Sequence, residues 1–473
     1  MKSKQIFKTG WWILLLLMIP VSGFTQDSNH TVFLTLRGSV SRALQKNNQL
    51  QASHYGLKKA QWDRYQAWTQ LLPTVSFNTR FTRIDEESFY LRDFFRQNIH
   101  AFFPNLPDGF EIPPSAYRNA YASSIDVSMP IFNGILLNGL LIANANKKAM
   151  EKMNESTRNN ILFQVISSYL NVLKSKELLR LQEEFLTLSR LNYEKAERKY
   201  QAGRYSKTEA LRWKVDYQQQ KSSVTSSQSA LRTSTSVLTR MINMDMNQSV
   251  DVEKTIPQII LDEADRLAAL PEEQILTLIR LSENHLLKAN AALSAVSSQT
   301  RVNKLLYRNS YASYMPNISL SYSHGWRENN TLALDDYSPK TVMVNFNLPL
   351  FTSFQNLTKT KSSYYEYKQS RENYQDQLKN TRFILTETVN KIINLKTQRE
   401  LSHATVEFTR NNYNVIEQQK ERGLISNIDF IDAKLNLQNA ELNDINNQYD
   451  FISAMVELYY LLGKLDKIVD LEN

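Results

Sequence analysis

Residues 420–435 read KERGLISNIDFIDAKL, and residues 200–211 read YQAGRYSKTEAL. Their glycines are isolated. Gly203 is the only glycine between Gly139 and Gly325, and Gly423 the only one between Gly325 and Gly463. Residues 140–202 and 350–422 hold neither Gly nor Pro, and apolar residues recur in them at three- and four-residue steps, as in Val165, Tyr169, Val172 and Leu385, Val389, Ile392. Such runs predict helices of about 60–70 residues, roughly 100 Å long at 1.5 Å per residue. Helices of that length imply coiled-coil-like packing. A glycine just past a helix end suits the left-handed conformation that stops it. Ser206 with Glu209, and Ser426 with Asp429, have the capping-box spacing that starts the next helix. Each segment is therefore a tight turn at the tip of a long helical hairpin.

Working outward, the two tips are 220 residues apart and so are their surroundings: Arg190 matches Arg410, and Asn192-Tyr193 matches Asn412-Tyr413. Ahead of each long helix stands MPIF (129–132) or LPLF (348–351), pairing Pro130 and Phe132 with Pro349 and Phe351. Earlier still, Pro73 in LLPTVSF matches Pro316 in YMPNISL. This is an internal duplication. Each half also carries two segments that alternate apolar with polar: Val75, Phe77, Phe81 and Ile125, Val127, Met129, Ile131 in the first, Ile318, Leu320, Tyr322 and Val342, Val344, Phe346, Leu348 in the second. Runs of about ten such residues are the pattern of membrane β-barrel strands, and equally of half-buried strands in soluble sheets. The expected fold is mainly α with a small β part: very long helices plus four β-strands per chain.

Composition narrows the class. The chain has 473 residues with 11 Gly and 12 Pro, about a third and a half of the usual roughly 7% and 5%. Few punctuators mean few, long elements, against sandwiches and multi-domain α/β enzymes. No cysteine is present, which excludes disulfides, thiolate metal sites and a lipidated N-terminal Cys. The first 26 residues, MKSKQIFKTGWWILLLLMIPVSGFTQ, place Lys2, Lys4 and Lys8 before an apolar stretch from Trp11 to Val21. That is the layout of a secretory signal, with cleavage after Gly23 or around Gln26. Without it the formal charge falls from +9 by three lysines to +6. No other stretch is apolar enough for a spanning helix, so a membrane crossing falls to the strands. Four strands cannot close a barrel, since bacterial ones start at about eight, and an open edge in lipid leaves backbone groups unpaired. Copies must share one wall, and three give twelve strands. The expected organisation is a signal peptide at 1–26, a first repeat at 27–250, a linker at 251–275, a second repeat at 276–463 and a tail at 464–473. Residues 84–120, with Phe94, Phe95, Phe102 and Phe103, read as a long aromatic loop between the first two strands.

Asp429 and Asp432 share one helix face. Lining a tube built from several copies, they form rings of carboxylates that favour cations. Alternatively, Asp429 only caps its helix and Asp432 is solvated in the positive first turn.

Taken together, the signal, the paired halves, the strand-end P-[IL]-F motif and GLISNIDFIDA at the second tip resemble TolC-type outer membrane efflux channels, the outer membrane factor family. The resemblance covers the mature chain. It implies a homotrimer, a twelve-stranded barrel in the outer membrane that continues into an α-helical tunnel through the periplasm. It implies that Asp429 and Asp432 line the periplasmic gate. Gly203, Ser206, Glu209, Gly423 and Ser426 would shape tips that dock a periplasmic adaptor linked to an inner-membrane pump. Where the best-known member has an Arg and a Tyr flanking the second-tip glycine, this chain has Ile425 and Lys420, and Tyr200 and Arg204 are the candidate replacements.

No GxSxG, HExxH, Walker A or GxGxxG motif occurs, and the six histidines are scattered. No enzyme, cofactor or metal site is expected. Lys and Arg are interspersed with acids, which describes a solvated helical surface rather than a nucleic-acid groove. The competing reading is an exported coiled-coil scaffold or adaptor that crosses the periplasm without a pore; it has no need of the four alternating segments.

Overall fold

A computed structural model describes residues 31–107, 109, 110, 112, 118–246, 248–328 and 339–469; the expected signal segment and the last four residues of the tail lie outside these. The first half runs through β1 (Val32–Leu34), α1 (Leu36–Lys46), α2 (Asn48–Thr69), β2 (Thr74–Arg83), α3 (Glu86–Gln97), α4 (Ile99–Phe102), β3 (Asn119–Asn133), α5 (Gly134–Gln201) and α6 (Lys207–Met241). The segment between the halves holds β4 (Val250–Val252), α7 (Gln258–Ala269) and α8 (Glu272–Thr277). The second half contains α9 (Glu283–Ala289), α10 (Ala291–Ser310), β5 (Asn317–Glu328), β6 (Lys340–Asn347), α11 (Gln355–Glu421), α12 (Asn427–Leu461) and α13 (Asp466–Val469).

The duplication is visible in the lengths. α5 and α11 have 68 and 67 residues, and α6 and α12 have 35 each. Upstream of the sheet the halves match at a larger offset. Asn47 and Asn290, 243 residues apart, each end one helix and cap the next. The change of 24 between the offsets 243 and 219 is the difference between the β2–β3 connection, residues 84–118, and the β5–β6 connection, residues 329–339. The first connection is not the plain loop its composition suggested. Asp85 accepts the Ser88 N–H at 2.8 Å and caps α3, and the rings of Phe94, Phe95, Phe102 and Phe103 pack together over α3 and α4.

The four alternating segments form one antiparallel sheet in the order β2-β3-β5-β6. Its register aligns Val75, Val127, Tyr322 and Val342 across all four strands, and Met129, Leu320 and Val344 across three. Side chains alternate across a pleated sheet, so these rows share one face. On the other face Asp126 accepts from Asn78 at 2.7 Å, Ser124 at 2.7 Å and Ser323 at 2.5 Å. Among the described residues nothing covers the apolar face: Val75, Phe77, Phe81, Val342, Val344 and Phe346 are each more than half exposed. β2 and β6, at the two ends of the order, each have one strand edge unpaired among the described residues. Among the described residues no helix is long and apolar enough to cross a membrane.

The core lies where α5, α11 and α12 run together: Val165, Ile166, Tyr169, Leu385, Val389, Ile392, Met455 and Val456 are buried in one cluster. The segment between the halves is packed into it. Val252, Ile260 and Ala264 are buried there, and β4 pairs in parallel with β1, a contact between residues 218 apart that no local pattern signals. Elsewhere the long helices leave apolar residues uncovered. On α11, Leu401, Phe408 and Val415 stand seven apart and are exposed, a heptad stripe of the kind that seeks another helix.

Candidate functional site

The tips are built as their sequences dictate. Gly203 has φ +71° and Gly423 φ +73°, a region where an L side chain is strained. Arg204 N–H donates to Lys199 O at 2.8 Å and Leu424 N–H to Gln419 O at 2.9 Å, closing the helix ends. Both capping boxes are formed. Ser206 Oγ accepts from Glu209 N–H at 3.2 Å while Glu209 accepts from Ser206 N–H at 2.9 Å. Ser426 Oγ accepts from Asp429 N–H at 3.2 Å, and Asp429 accepts from Ser426 N–H at 3.3 Å. The longer return bond reflects the shorter Asp side chain. Ser426→Ala is expected to destabilise the second tip by about 1 kcal/mol, read as roughly a fivefold loss of amide-exchange protection at the start of α12. Unchanged protection there would mean that the cap contributes nothing.

The Ser206 backbone N–H holds the Glu209 carboxyl below its ordinary value, helped by the hydroxyl of Ser206 and by Asn427. A depressed carboxylate contributes stability above its ordinary pKa and loses it as pH falls through the folded value, so acid loosens the first tip.

Asn427 joins the two tips. Its amide donates to Glu209 at 3.0 Å, and its carbonyl oxygen accepts from Tyr205 Oη at 3.3 Å and from Lys420 Nζ. Lys199 lies over the Tyr205 ring at 4.8 Å. Burial pushes the Lys420 amine down. Tyr200 and Arg204 are exposed and, among the described residues, make no side-chain bond to the second tip. Within one chain that linkage is made by Asn427 with Glu209 and Tyr205, and Lys420, on the same tip as Asn427, braces its carbonyl oxygen. Of these, Glu209 and Lys420 are marked by their positions in the sequence, whereas Tyr205 and Asn427 are not.

Asp429 and Asp432 are both exposed on α12. Asp429 is engaged in its capping box. Asp432 makes no hydrogen bond or ion pair among the described residues and borders a groove of about 590 Å3 between α6 and α12, walled by Leu211, Val215, Ile428, Ile431 and Leu435.

Three residues deeper than the groove residue Ile431, the helices are tied by a buried cation. Lys434 is fully buried; its Nζ lies 2.6 Å from both Asp216 carboxylate oxygens and 2.8 Å from Ser189 Oγ. Burial pushes its amine down, opposed by Asp216. One turn further, Gln438 Nε2 donates to Gln182 and Gln220 at 3.0 Å each, and Gln220 donates back at 2.8 Å. Removing one partner of such a buried pair costs about 3–5 kcal/mol, whereas a tip hydrogen bond is worth about 1 kcal/mol net. Lys434 was missed in the sequence although a signal was there. It stands four after Phe430 and three before Leu437, both buried, so the helical period puts a charge on the apolar seam.

The strand-end motifs lie at the far end of the helices. Pro130 sits beside a bulge, with Pro130 opposite Ser319 and Phe132 opposite Ile318, and Asn133 caps α5 directly. After β6 the chain passes Pro349 and Phe351 and turns through Ser353 (φ +50°) and Phe354 (φ +63°) before α11. Among the described residues no group of three His, Cys, Asp or Glu side chains is placed to hold a metal ion.

A model of the outer membrane efflux protein family matches residues 39–243 and 279–464, most of the chain. Solved structures with the same fold include the CmeC outer membrane channel of Campylobacter jejuni, 17% identical over 93% of this chain and 86% of that one, with a TM-score of 0.74. The outer membrane protein VceC of Vibrio cholerae is 15% identical over 90% and 96%, TM-score 0.73. The MtrE outer membrane channel of Neisseria gonorrhoeae in its open state is 15% identical over 91% and 89%, TM-score 0.70. No curated protein matches the chain.

Proposed function

The chain belongs to the outer membrane efflux protein family, and from that premise we propose that three copies form a passive exit duct: a twelve-stranded barrel in the outer membrane continuing into a helical tunnel across the periplasm. The observation that carries this reading is the four-stranded sheet, with an uncovered apolar face and an unpaired edge at each end. Sharing edges between copies satisfies the backbone groups that lipid cannot, and the same contact offers cover for the exposed stripe on α11. A pore-less scaffold leaves both features unexplained.

In this duct the tips face the periplasm, dock an adaptor linked to an inner-membrane pump, and serve efflux or type I secretion. Asp429 and Asp432 from three copies ring the narrow end and favour cations. Asn427 and its partners hold each chain's two hairpins together in the closed state, so opening requires an adaptor that binds the parted tips more tightly than the joined ones.

Purified protein with Asp429→Ala and Asp432→Ala is expected to conduct several-fold better in planar bilayers and to lose cation preference. Conductance and selectivity equal to wild type would remove both residues from the gate. The unaltered protein should sediment with outer membranes and run as an oligomer that heating dissociates; recovery as a soluble periplasmic monomer would end the duct reading.

A further inference from the structure

Lys434 is a fully buried cation to which the gate assigns no part. Lys434 ties three helices at one level, α12 through itself, α6 through Asp216 and α5 through Ser189. The Gln182–Gln220–Gln438 triad repeats the tie one turn further from the tip. Lys434, Ser189, Gln182, Gln220 and Gln438 are all buried, and Phe185, Trp213, Phe430, Ala433 and Leu437 form a hydrophobic cluster along the same stretch of these helices. The tip contacts of Asn427 are partly open to solvent, so water replaces what is lost when they break. No water replaces Asp216 for a fully buried ammonium. Motion that parts the tips will therefore break the outer contacts and spare the inner pair.

We infer that Lys434, Asp216 and Ser189, backed by the glutamine triad, are positioning residues that form a fixed pivot, so that gate opening swings only the tipward end of the second hairpin about a pair that stays made. This rests on the duct reading and sharpens it. Asp429 and Asp432 lie five and two residues tipward of Lys434, roughly 7.5 and 3 Å along the helix axis. Asp429 travels further on opening, and Asp432, nearly at the pivot, remains to set the ion preference of the open duct.

The chain has no cysteine, so introduced thiols are unique. In the full-length trimer, Glu209→Ala with Lys420→Ala removes tip contacts and is expected to raise conductance several-fold. In that background a short bis-methanethiosulfonate bridge between Gln220→Cys and Gln438→Cys is expected to leave conductance raised, while the same bridge between Tyr205→Cys and Asn427→Cys returns it to the closed level. A bridge at 220/438 that closes the channel overturns the pivot. Asp216→Asn removes a contact made in both states and is therefore expected to lower the thermal midpoint of the trimer while leaving its conductance near wild type, and the exchange Asp216→Lys with Lys434→Asp should recover part of that midpoint. An assembled Asp216→Asn trimer that conducts several-fold better than wild type also overturns it, because the pair would then hold the closed state in particular; if that variant fails to assemble, the bridging pair decides alone. Absence of conductance from every version, wild type included, would count against the duct itself, whereas conduction with closure by both bridges counts against the pivot only.

Discussion

Arginine in place of Val344 is expected to abolish the heat-dissociable oligomer in outer membranes, while arginine in place of the neighbouring Asn345 leaves it intact. The two positions are adjacent on β6 and face opposite sides of the sheet. Val344 is 62% exposed in one chain and aligned with Leu320 and Met129; Asn345 is aligned with Ser319 on the polar face. A lipid-facing Arg near the midplane costs about 2–4 kcal/mol, against far less on the lumen side. In the proposed barrel of three copies this multiplies to roughly 6–12 kcal/mol, comparable with the whole stability of a domain. On the polar face, which lines the lumen in the proposed duct, Asn345→Arg should instead change ion preference. If both variants assemble equally well, the exposed apolar face does not meet lipid.

Gly463→Ala is expected to cost roughly 2–4 kcal/mol and to lower the thermal midpoint of the purified oligomer clearly, whereas Asn243→Gly should have little effect. Gly463 and Asn243 are equivalent in the duplication, following α12 and α6, and both have positive φ, +64° and +51°. In the first half the Asn243 side chain reaches out and donates to Lys46 O at 3.0 Å. In the second half the Ala289 carbonyl oxygen takes that place, 2.3 Å from where a Cβ on Gly463 would stand. The obstacle is backbone at the α9–α10 joint rather than a movable side chain, so alanine adds left-handed strain and forces two packed elements apart. A wild-type midpoint for Gly463→Ala would show that this approach is loose in solution.

Much of this architecture is readable because its determinants are local. Helix length follows from the absence of Gly and Pro, tip geometry from a glycine and a capping pair six residues long, and strand identity from alternation of period two. The duplication strengthens each reading by showing it twice, and the carboxylates at 429 and 432 stand out as candidates because they follow a marked turn at fixed spacing. Other features had no such mark. The helices inside the β2–β3 connection were hidden by prolines and aromatics that read as loop. The β1–β4 pair consists of three residues each and exists only where residues 32–34 meet 250–252.

By itself the sequence determined the two long hairpins, their turns, the four strands and the repeat, since each depends on residues within a few positions of one another. Only the tertiary structure decided the sheet order with β3 beside β5, the choice of Asn427 over Tyr200 and Arg204 as the link between tips, the contact that requires glycine at 463, and the buried partnership of Lys434 with Asp216. Those depend on backbone and side-chain groups about 170 to 220 positions apart, and chain folding, which brings them within bonding distance, is not encoded in any short window.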